Sequence, residues 1–205
     1  CPAFVEFVEK NLPAQAELLS KTPSPMVMTG RYIKERDPHA KVVFIGPCVA
    51  KKMEYQLGKT QGAIDCVVTF EELYAMMAGK GIELTELEET PLDEASGYGR
   101  AFAASGGVAA AVAQALRERN SKIEAHGLAC AGVEECRAAI LKMSRGLLPE
   151  NFIEGMACAL GGCVQGPAAI VRAPKNKAEL TKHVKQAGER TIAQSVRQAE
   201  ETKGA

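Results

Sequence analysis

The 205-residue chain contains no tryptophan, and aromatic side chains make up only 5% of it. Histidine is also scarce: the three copies, at His39, His126 and His183, are far apart in the sequence. Zinc and copper sites in proteins usually draw on several imidazole ligands. A histidine-rich metal site is therefore not expected.

The chain has no excess of charge of either sign, because its 25 basic residues balance its 25 acidic ones. A neutral chain offers no basic surface of the kind that attracts nucleic acid. No run of about eighteen or more apolar residues occurs, and the N-terminus lacks the basic and then apolar layout of a secretory signal. We expect a cytoplasmic protein with neither nucleic acid nor membrane as a partner.

Cysteine, by contrast, is abundant, and its number is odd. With 46% hydrophobic residues the chain can bury a sizeable core, as one domain or two closely packed lobes, without disulfides as staples. We interpret the thiols as kept reduced, for metal binding or for chemistry. The seven positions are Cys1, Cys48, Cys66, Cys130, Cys136, Cys158 and Cys163.

The apolar pattern predicts strands alternating with helices. Continuous apolar runs at 41–45 and 64–69 predict buried parallel strands, and a helix start after Thr69 predicts a helix over 70–79. Other helices are expected at 4–19 with a break at Pro13, at 26–34, after the glycine pair 106–107, at 133–144 and at 175–202, with a strand at 123–131. This alternation predicts an α/β fold with a parallel sheet flanked by helices. No repeat or low-complexity linker divides residues 1–205.

Cys48 follows directly on the first predicted strand. It therefore lies at the carboxyl end of that strand, where open parallel sheets bind their ligands. Lys51, Lys52 and Glu54 come shortly afterwards. One lysine at this place could set a cation beside anionic ligands; the alternative is two solvated lysines at the start of a helix.

Cys158 and Cys163 flank the sequence Ala-Leu-Gly-Gly. Two thiols this close, with flexible glycines between them, can bind one metal centre, and their spacing differs from the two-residue gap of zinc ribbons. The alternative is a pair of small buried thiols in a glycine-rich turn. Glycines beside cysteine ligands also let backbone amides approach the sulfurs of an iron–sulfur cluster.

The remaining cysteines leave several interpretations open. Cys1 could be a metal ligand or an N-terminal nucleophile, although the sequence places no base or oxyanion donors beside it. Cys66 lies within a predicted strand, and we expect it in the core. Cys130 and Cys136 could host a second site, but we interpret them as packing residues or as a redox-active pair, in that order.

Four segments in chain order resemble the iron-only ([FeFe]) hydrogenases: Cys1-Pro2 at a helix start, Ser-Pro-Met at 24–26, IGPCVAKKMEY at 45–55 and FIEGMACALGGC at 152–163. The segments at 67–73 and 102–108 are also similar to that family. The resemblance spans nearly the whole chain. It implies the H-cluster domain, in which a [4Fe–4S] cluster joined to a two-iron unit with carbon monoxide, cyanide and a bridging dithiolate lies in the cleft between two lobes.

The resemblance also implies roles for individual residues. The ligands of the [4Fe–4S] cluster would be Cys1, Cys48, Cys158 and Cys163, the last of which also bridges to the two-iron unit. Lys51 would donate a hydrogen bond to a cyanide ligand with Glu54 as its neighbour, and Met156 would flank the two-iron unit. Four further residues would line the cofactor site: Ser24, Met26, Gly106 and Gly107.

By this resemblance the chain is an oxidoreductase that interconverts hydrogen with protons and electrons, at low rate or in a sensing role. Its partners would be a ferredoxin or a fused ferredoxin-like domain, together with hydrogenase maturation proteins. The alternative is a non-catalytic [4Fe–4S] protein that acts in sensing or in iron–sulfur assembly. A hydrolase with Cys1 as nucleophile is a third hypothesis, and it predicts that Cys48 is dispensable.

The sequence departs from the family pattern in several places. It begins at the second cysteine of the motif Thr-Ser-Cys-Cys-Pro, so we expect a domain that is incomplete at its N-terminus and lacks the proton-relaying thiol and an upstream segment. Four residues instead of three separate Cys158 from Cys163. Gly46 stands where the family usually has methionine, and Met26 where the most active members have glutamine. Such changes resemble the sensory branch of the family.

Overall fold

Two small parallel sheets organise the protein in the computed structural model, which describes residues 1–90, 95–170 and 174–201. The strands are β1 (Val43–Gly46), β2 (Cys66–Thr69), β3 (Gly127–Ala131) and β4 (Phe152–Met156). The helices are α1 (Pro2–Asn11), α2 (Pro25–Arg36), α3 (Lys51–Glu54), α4 (Phe70–Gly79), α5 (Gly97–Arg100), α6 (Gly107–Glu118), α7 (Val133–Met143), α8 (Pro174–Lys185) and α9 (Ile192–Glu201). Within the described ranges, no helix has the length and apolar character needed to cross a membrane.

The first lobe is built on β1 and β2, which pair in parallel with Val43 opposite Cys66 and Gly46 opposite Thr69. Helix α2 covers one face of this sheet. The buried residues of this core are Met26, Val27, Val42, Ala63, Ile64 and Val67. After β2 the chain turns directly into α4, whose start is stabilised by a capping box between Thr69 and Glu72.

The second lobe is built on β3 and β4, which also pair in parallel, with Gly127 opposite Phe152 and Ala131 opposite Met156. Helix α7 connects the two strands and packs on them together with α1. Its buried residues are Phe4, Val8, Cys130, Cys136, Ala139 and Ile140. The Phe4 ring lies so close to Gly155 that a β-carbon there would be 2.4 Å from it. Helix α6 contacts the same two strands.

The predicted α/β fold with parallel strands is confirmed, and the predicted helix over 70–79 has the observed bounds. Strands lie in the two predicted segments, at Val43–Gly46 and Cys66–Thr69, but the prediction that they are buried is wrong, because Val43 and Ile45 are 50% and 44% exposed. Cys66, expected in the core, is exposed as well. The physical reason is that side chains alternate across a strand, and α2 packs on only one face of the sheet.

The predicted helix at 175–202 is instead two helices, α8 and α9, separated by a turn; Thr202 lies outside the described residues. Helix α9 is hydrogen-bonded to both α2 and α6. Tyr32 Oη donates to the Ala199 carbonyl at 2.6 Å, and the Glu118 carboxylate accepts from the backbone N–H groups of Ile192 and Ala193 at 3.1 and 2.9 Å.

Candidate iron–sulfur site

Two of the predicted ligands, Cys48 and Cys158, closely follow the ends of strands. Strand β1 ends at Gly46, two residues before Cys48, and β4 ends at Met156, two residues before Cys158. Cys163 then begins a short 3-10 turn, Cys163–Gln165. Carboxyl ends of parallel strands are the usual ligand-binding edges of α/β folds. Each lobe therefore presents one of the predicted ligands, Cys48 or Cys158, near such an edge.

Backbone contacts bring these edges together. The Pro47 carbonyl, next to Cys48, accepts a hydrogen bond from the N–H of Ala168 at 3.2 Å. Gly166 packs so tightly there that a β-carbon would lie 2.4 Å from the same carbonyl oxygen. On the other side, the N–H of Ala157 donates to Cys1 Sγ at 3.5 Å. The segments that carry the four cysteines thus meet at one place.

The electrostatics of Cys163 report the same proximity. Burial raises the pKa of the Cys163 thiol, and the neighbouring Cys158 and Cys48 raise it further, because adjacent thiolates repel one another. Lys51 acts in the opposite direction and lowers the pKa of the Cys163 thiol. Three thiols from both lobes therefore lie within electrostatic reach of one another and of a lysine.

That lysine is held by a buried ion pair. Lys51 Nζ donates to Glu54 Oε2 at 2.6 Å, one turn further along α3, and the two side chains are only 13% and 10% exposed. The Glu54 carbonyl also accepts a hydrogen bond from the Thr60 hydroxyl. A buried charge needs a partner. Lys52, by contrast, faces outward, where it pairs with Glu72 at 2.7 Å.

The loop between Cys158 and Cys163 takes up its four-residue spacing by left-handed backbone. Leu160, Gly161 and Gly162 have φ values of 65°, 109° and 101°. Leu160 is strained in this region because it carries a side chain, which is 82% exposed. At Gly162 a β-carbon would lie 2.6 Å from Ser105 N, so only glycine fits.

The other predicted site residues have distinct local surroundings. Met156 is 5% exposed, and its Sδ lies beside Gly162. Ser24 is the N-cap of α2, where its hydroxyl accepts from the N–H of Val27 at 3.4 Å. Met26 is buried in the core of the first lobe. Capping and packing thus account for the positions of Ser24 and Met26.

Gly106 and Gly107 begin α6. Gly106 has φ 87°, and a β-carbon on Gly107 would lie 2.0 Å from the Ala101 carbonyl oxygen. Both positions require glycine, for conformation and for space respectively. The sequence reasoning overlooked the residue that holds this turn in place, Glu154. The indication of this role in the sequence is a single carboxylate in the otherwise apolar stretch FIEGM.

Cys130 and Cys136 are not among the predicted ligands, and both are buried. They are 4% and 0% exposed. Burial raises the pKa of the Cys136 thiol to about 11, with Cys130 adding to the effect, and burial likewise raises the pKa of Cys130. Reactive cysteines are accessible and have lowered pKa values. This environment supports the packing interpretation over a redox-active pair.

The donor set fits an iron–sulfur cluster. Cys1 is exposed and the other three cysteines are half-buried, and thiolates are the usual ligands of such clusters. Within residues 1–90, 95–170 and 174–201, no three His, Cys, Asp or Glu side chains converge as they would around a single metal ion. The thiolates of a [4Fe–4S] cluster bind different irons, so they surround a larger body.

The description "Iron only hydrogenase large subunit, C-terminal domain" belongs to a family model that matches residues 1–167. The chain belongs to this family. The resemblance inferred from the motifs is thereby confirmed. Among curated relatives, iron hydrogenase 1 of Clostridium pasteurianum is 29% identical over 208 residues, which cover 81% of this chain and 36% of that protein.

Other members of the family with similar sequences are named for iron–sulfur assembly. The cytosolic Fe-S cluster assembly factor NAR1 of Kluyveromyces lactis is 34% identical over 83 residues, covering 40% of this chain and 18% of that protein. The factor narfl of Xenopus tropicalis is 24% identical, covering 90% and 48%. This chain therefore spans less than half the length of these curated relatives.

Solved structures agree on the fold. An [FeFe]-hydrogenase studied for oxygen inactivation of its H cluster aligns with a TM-score of 0.67 and 20% identity, over 90% of this chain and 63% of that one. An apo [FeFe]-hydrogenase of Chlamydomonas reinhardtii aligns with a TM-score of 0.67 and 18% identity, over 98% and 70%. The parallel two-lobed arrangement is thus the fold of the hydrogenase H-cluster domain.

Proposed function

We propose that this hydrogenase-family chain binds a [4Fe–4S] cluster through Cys1, Cys48, Cys158 and Cys163, and a two-iron unit beside it at which hydrogen is interconverted with protons and electrons. The observation that carries the proposal is the buried Lys51–Glu54 pair next to thiols from both lobes. A cluster held by thiolates alone has no need of a desolvated cation at this place.

In this proposal the residues have distinct roles. The cysteines hold the clusters, and Cys163 is the shared ligand. Lys51 has three N–H donors, so one can serve Glu54 while another donates to an anionic ligand such as cyanide. Met156, which is 5% exposed and has its Sδ beside Gly162, would flank the two-iron unit.

When bound, the clusters supply the redox chemistry, in which one hydrogen molecule yields two protons and two electrons. The electrons need an acceptor, and we propose a ferredoxin or a fused ferredoxin-like domain in the cytoplasm for this role. Assembly of the two-iron unit would require hydrogenase maturation proteins. We also propose that a further protein segment covers the other side of the two-iron unit.

Anaerobic reconstitution with iron and sulfide tests the cluster. We expect about four irons per chain, a broad thiolate-to-iron absorption, and loss of both in Cys48→Ser. Cys66→Ser is the matched control, because Cys66 is an exposed thiol of the same lobe. Iron content that is absent in the wild type, or equal in the two variants, would overturn cluster binding.

Loading the reconstituted protein with a synthetic two-iron unit tests the hydrogen chemistry. We expect carbonyl and cyanide infrared bands, and a shift of the cyanide bands in Lys51→Ala but not in Lys52→Ala, where the neighbouring lysine faces outward to Glu72. Hydrogen-dependent dye reduction would then be measured on the full-length protein. Retention of four irons without these bands would exclude a two-iron unit.

The second candidate function is a [4Fe–4S] protein without hydrogen chemistry, in sensing or iron–sulfur assembly. Two observations favour it: the curated relatives named as Fe-S assembly factors, and the four-residue loop with left-handed Leu160 before Cys163. The infrared experiment separates the two candidates, because only the first predicts bands from carbon monoxide and cyanide.

A further inference from the structure

The carboxylate of Glu154 is buried, with the residue only 8% exposed, in the middle of β4. Its Oε1 accepts from the N–H of Gly106 at 2.9 Å, and its Oε2 accepts from the N–H of Ala109 at 2.6 Å. Both donors belong to the start of α6. A side chain from the second sheet therefore caps a helix 48 residues earlier in the chain.

This cap is needed because α6 has none of its own. The first N–H groups of a helix have no partner within it, and they carry a partial positive charge that favours an anion. The N-cap residue is Gly106, which has no side chain to offer. Glu154 supplies two acceptor oxygens and a negative charge at that end.

The turn that Glu154 holds is itself in contact with the cluster loop. The N–H of Ser105 donates to the Gly161 carbonyl at 2.9 Å, and Gly162 packs directly against Ser105 N. Gly162 is the residue before Cys163. A chain of contacts thus leads from the Glu154 carboxylate through residues 105–106 to the backbone that positions Cys163.

The carboxyl end of strand β4 also leads to the candidate site. Side chains alternate along a strand, so Glu154 and Met156 lie on the same face, and both are buried. Cys158 follows two residues later. One strand therefore leads directly to Cys158 and, through Glu154 and the turn at 105–106, contacts the loop before Cys163.

From these contacts we infer that Glu154 is a positioning residue for the cluster, which sets the place of Cys163 by capping α6; this rests on the proposed function. The amide of glutamine has the same shape, but one of its ends is an N–H₂ donor. In Glu154→Gln that donor would oppose an N–H of α6, so the turn at 105–106 and the loop before Cys163 would loosen together.

A second carboxylate in the chain provides a matched control. Glu118 also caps a helix that is distant in sequence, since it accepts from the N–H groups of Ile192 and Ala193 at the start of α9. It lies at the opposite end of α6 from the turn that contacts the cluster loop. Glu118→Gln thus removes a comparable cap without touching residues 105–106 or 161–163.

The test compares the two variants after reconstitution with iron and sulfide. In Glu154→Gln we expect release of iron to a chelator to be faster by roughly tenfold, and the reduced cluster to have an altered electron paramagnetic resonance spectrum and reduction potential. The reduction potential depends on the hydrogen bonds to the cluster sulfurs. A general loss of stability would leave that potential unchanged. Glu118→Gln should match the wild type in release rate, spectrum and potential. Wild-type behaviour of Glu154→Gln, or equal changes in both variants, would overturn the inference.

Hydrogen exchange on the protein before reconstitution separates this inference from the proposed function. We expect Glu154→Gln to accelerate exchange at both 105–109 and 157–163, and Glu118→Gln to accelerate it only around 192–193. If the wild type binds no iron but the exchange pattern is as expected, the proposed function fails while the link to the loop stands. Unchanged exchange at 157–163 in Glu154→Gln refutes the link, whether or not iron binds.

Discussion

The two lobes have the same sheet topology but are covered to different extents. In the second lobe, α1 and α7 pack on one face of β3 and β4, and α6 contacts the strands and is capped from the other face by Glu154. In the first lobe, α2 covers one face of β1 and β2, while the opposite face carries the exposed side chains of Val43, Ile45 and Cys66.

This difference matters for the candidate site because parallel sheets are normally buried on both faces. Cys158 and Cys163 extend from the covered sheet, whereas Cys48 and Lys51 extend from the half-covered one. The contacts of the Pro47 carbonyl with the Ala168 amide and with Gly166 attach the first lobe to the second just beside Cys48. The half-covered first lobe is therefore attached to the more fully covered second lobe beside a predicted ligand.

The largest expected difference between the lobes is in their response to core truncation. In the second lobe Ile140 is 3% exposed, so Ile140→Ala leaves a cavity. This substitution should lower the free energy of unfolding by about 2–5 kcal/mol. Ile45→Ala in the first lobe, at a position 44% exposed, should cost below about 1 kcal/mol. Urea denaturation measures both. A cost at Ile45 equal to that at Ile140 would mean that the exposed face is covered in solution.

Alkaline pH should weaken the second lobe through Cys136. The pKa of its thiol is raised from 9.0 to about 11 by burial, so the folded state keeps a proton that the unfolded chain loses. Stability is therefore complete below pH 9 and is lost as the pH rises toward 11, by roughly 1.4 kcal/mol per pH unit. Urea denaturation between pH 8 and 11 should therefore show a steeper decline in the wild type and in Cys66→Ser than in Cys136→Ala, where Cys130 and Cys163, whose pKa values are also raised, still contribute. Persistence of the same slope in Cys136→Ala would refute the assignment.

The loop before Cys163 is a strained place in the otherwise well-packed second lobe. Leu160 has φ 65° and is 82% exposed, so Leu160→Gly should relieve left-handed strain at little loss of packing and stabilise the protein by about 1 kcal/mol. Asn120, with φ 50°, is the comparison, because asparagine already tolerates this region. Thermal unfolding should rise more for Leu160→Gly than for Asn120→Gly. A lower unfolding temperature in Leu160→Gly would mean that the leucine side chain makes stabilising contacts.

The smallest expected effect is an acid response of the first lobe. The pKa of Asp65 is lowered from 3.8 to about 2, first by the hydrogen bond from Lys34 and then by the Val42 amide and by Lys41. Its contribution is present above pH 3.8 and is lost as the pH falls toward 2. The unfolding temperatures of the wild type and Asp65→Asn should therefore differ at pH 5 and converge near pH 2. A constant difference would show that Asp65 does not titrate in this range.

Local elements could be predicted from the sequence where a short-range signal defines them. The helix over 70–79 is an example, because Thr69 and Glu72 of its capping box are three residues apart and both are visible in the sequence. The same reasoning failed for Cys66, whose burial depends on whether a distant helix covers its side of the sheet. It also left 159–162 unresolved, since the way a loop takes up an extra residue depends on the backbone against which it packs.

By itself, the sequence indicated the chemistry that the candidate site offers: thiols near strand ends, glycines beside them, and a lysine with a carboxylate one turn away. These features depend on residue type and on neighbours a few positions apart. The tertiary structure alone decided which sheet face is covered, that Pro47 meets Ala168, and that Glu154 caps α6. The hydrogen bonds of Glu154 join residues 45 and 48 positions apart, and the one between Ala157 and Cys1 joins residues 156 positions apart. No local pattern encodes such distant pairings, because they form only when separate elements pack into one core.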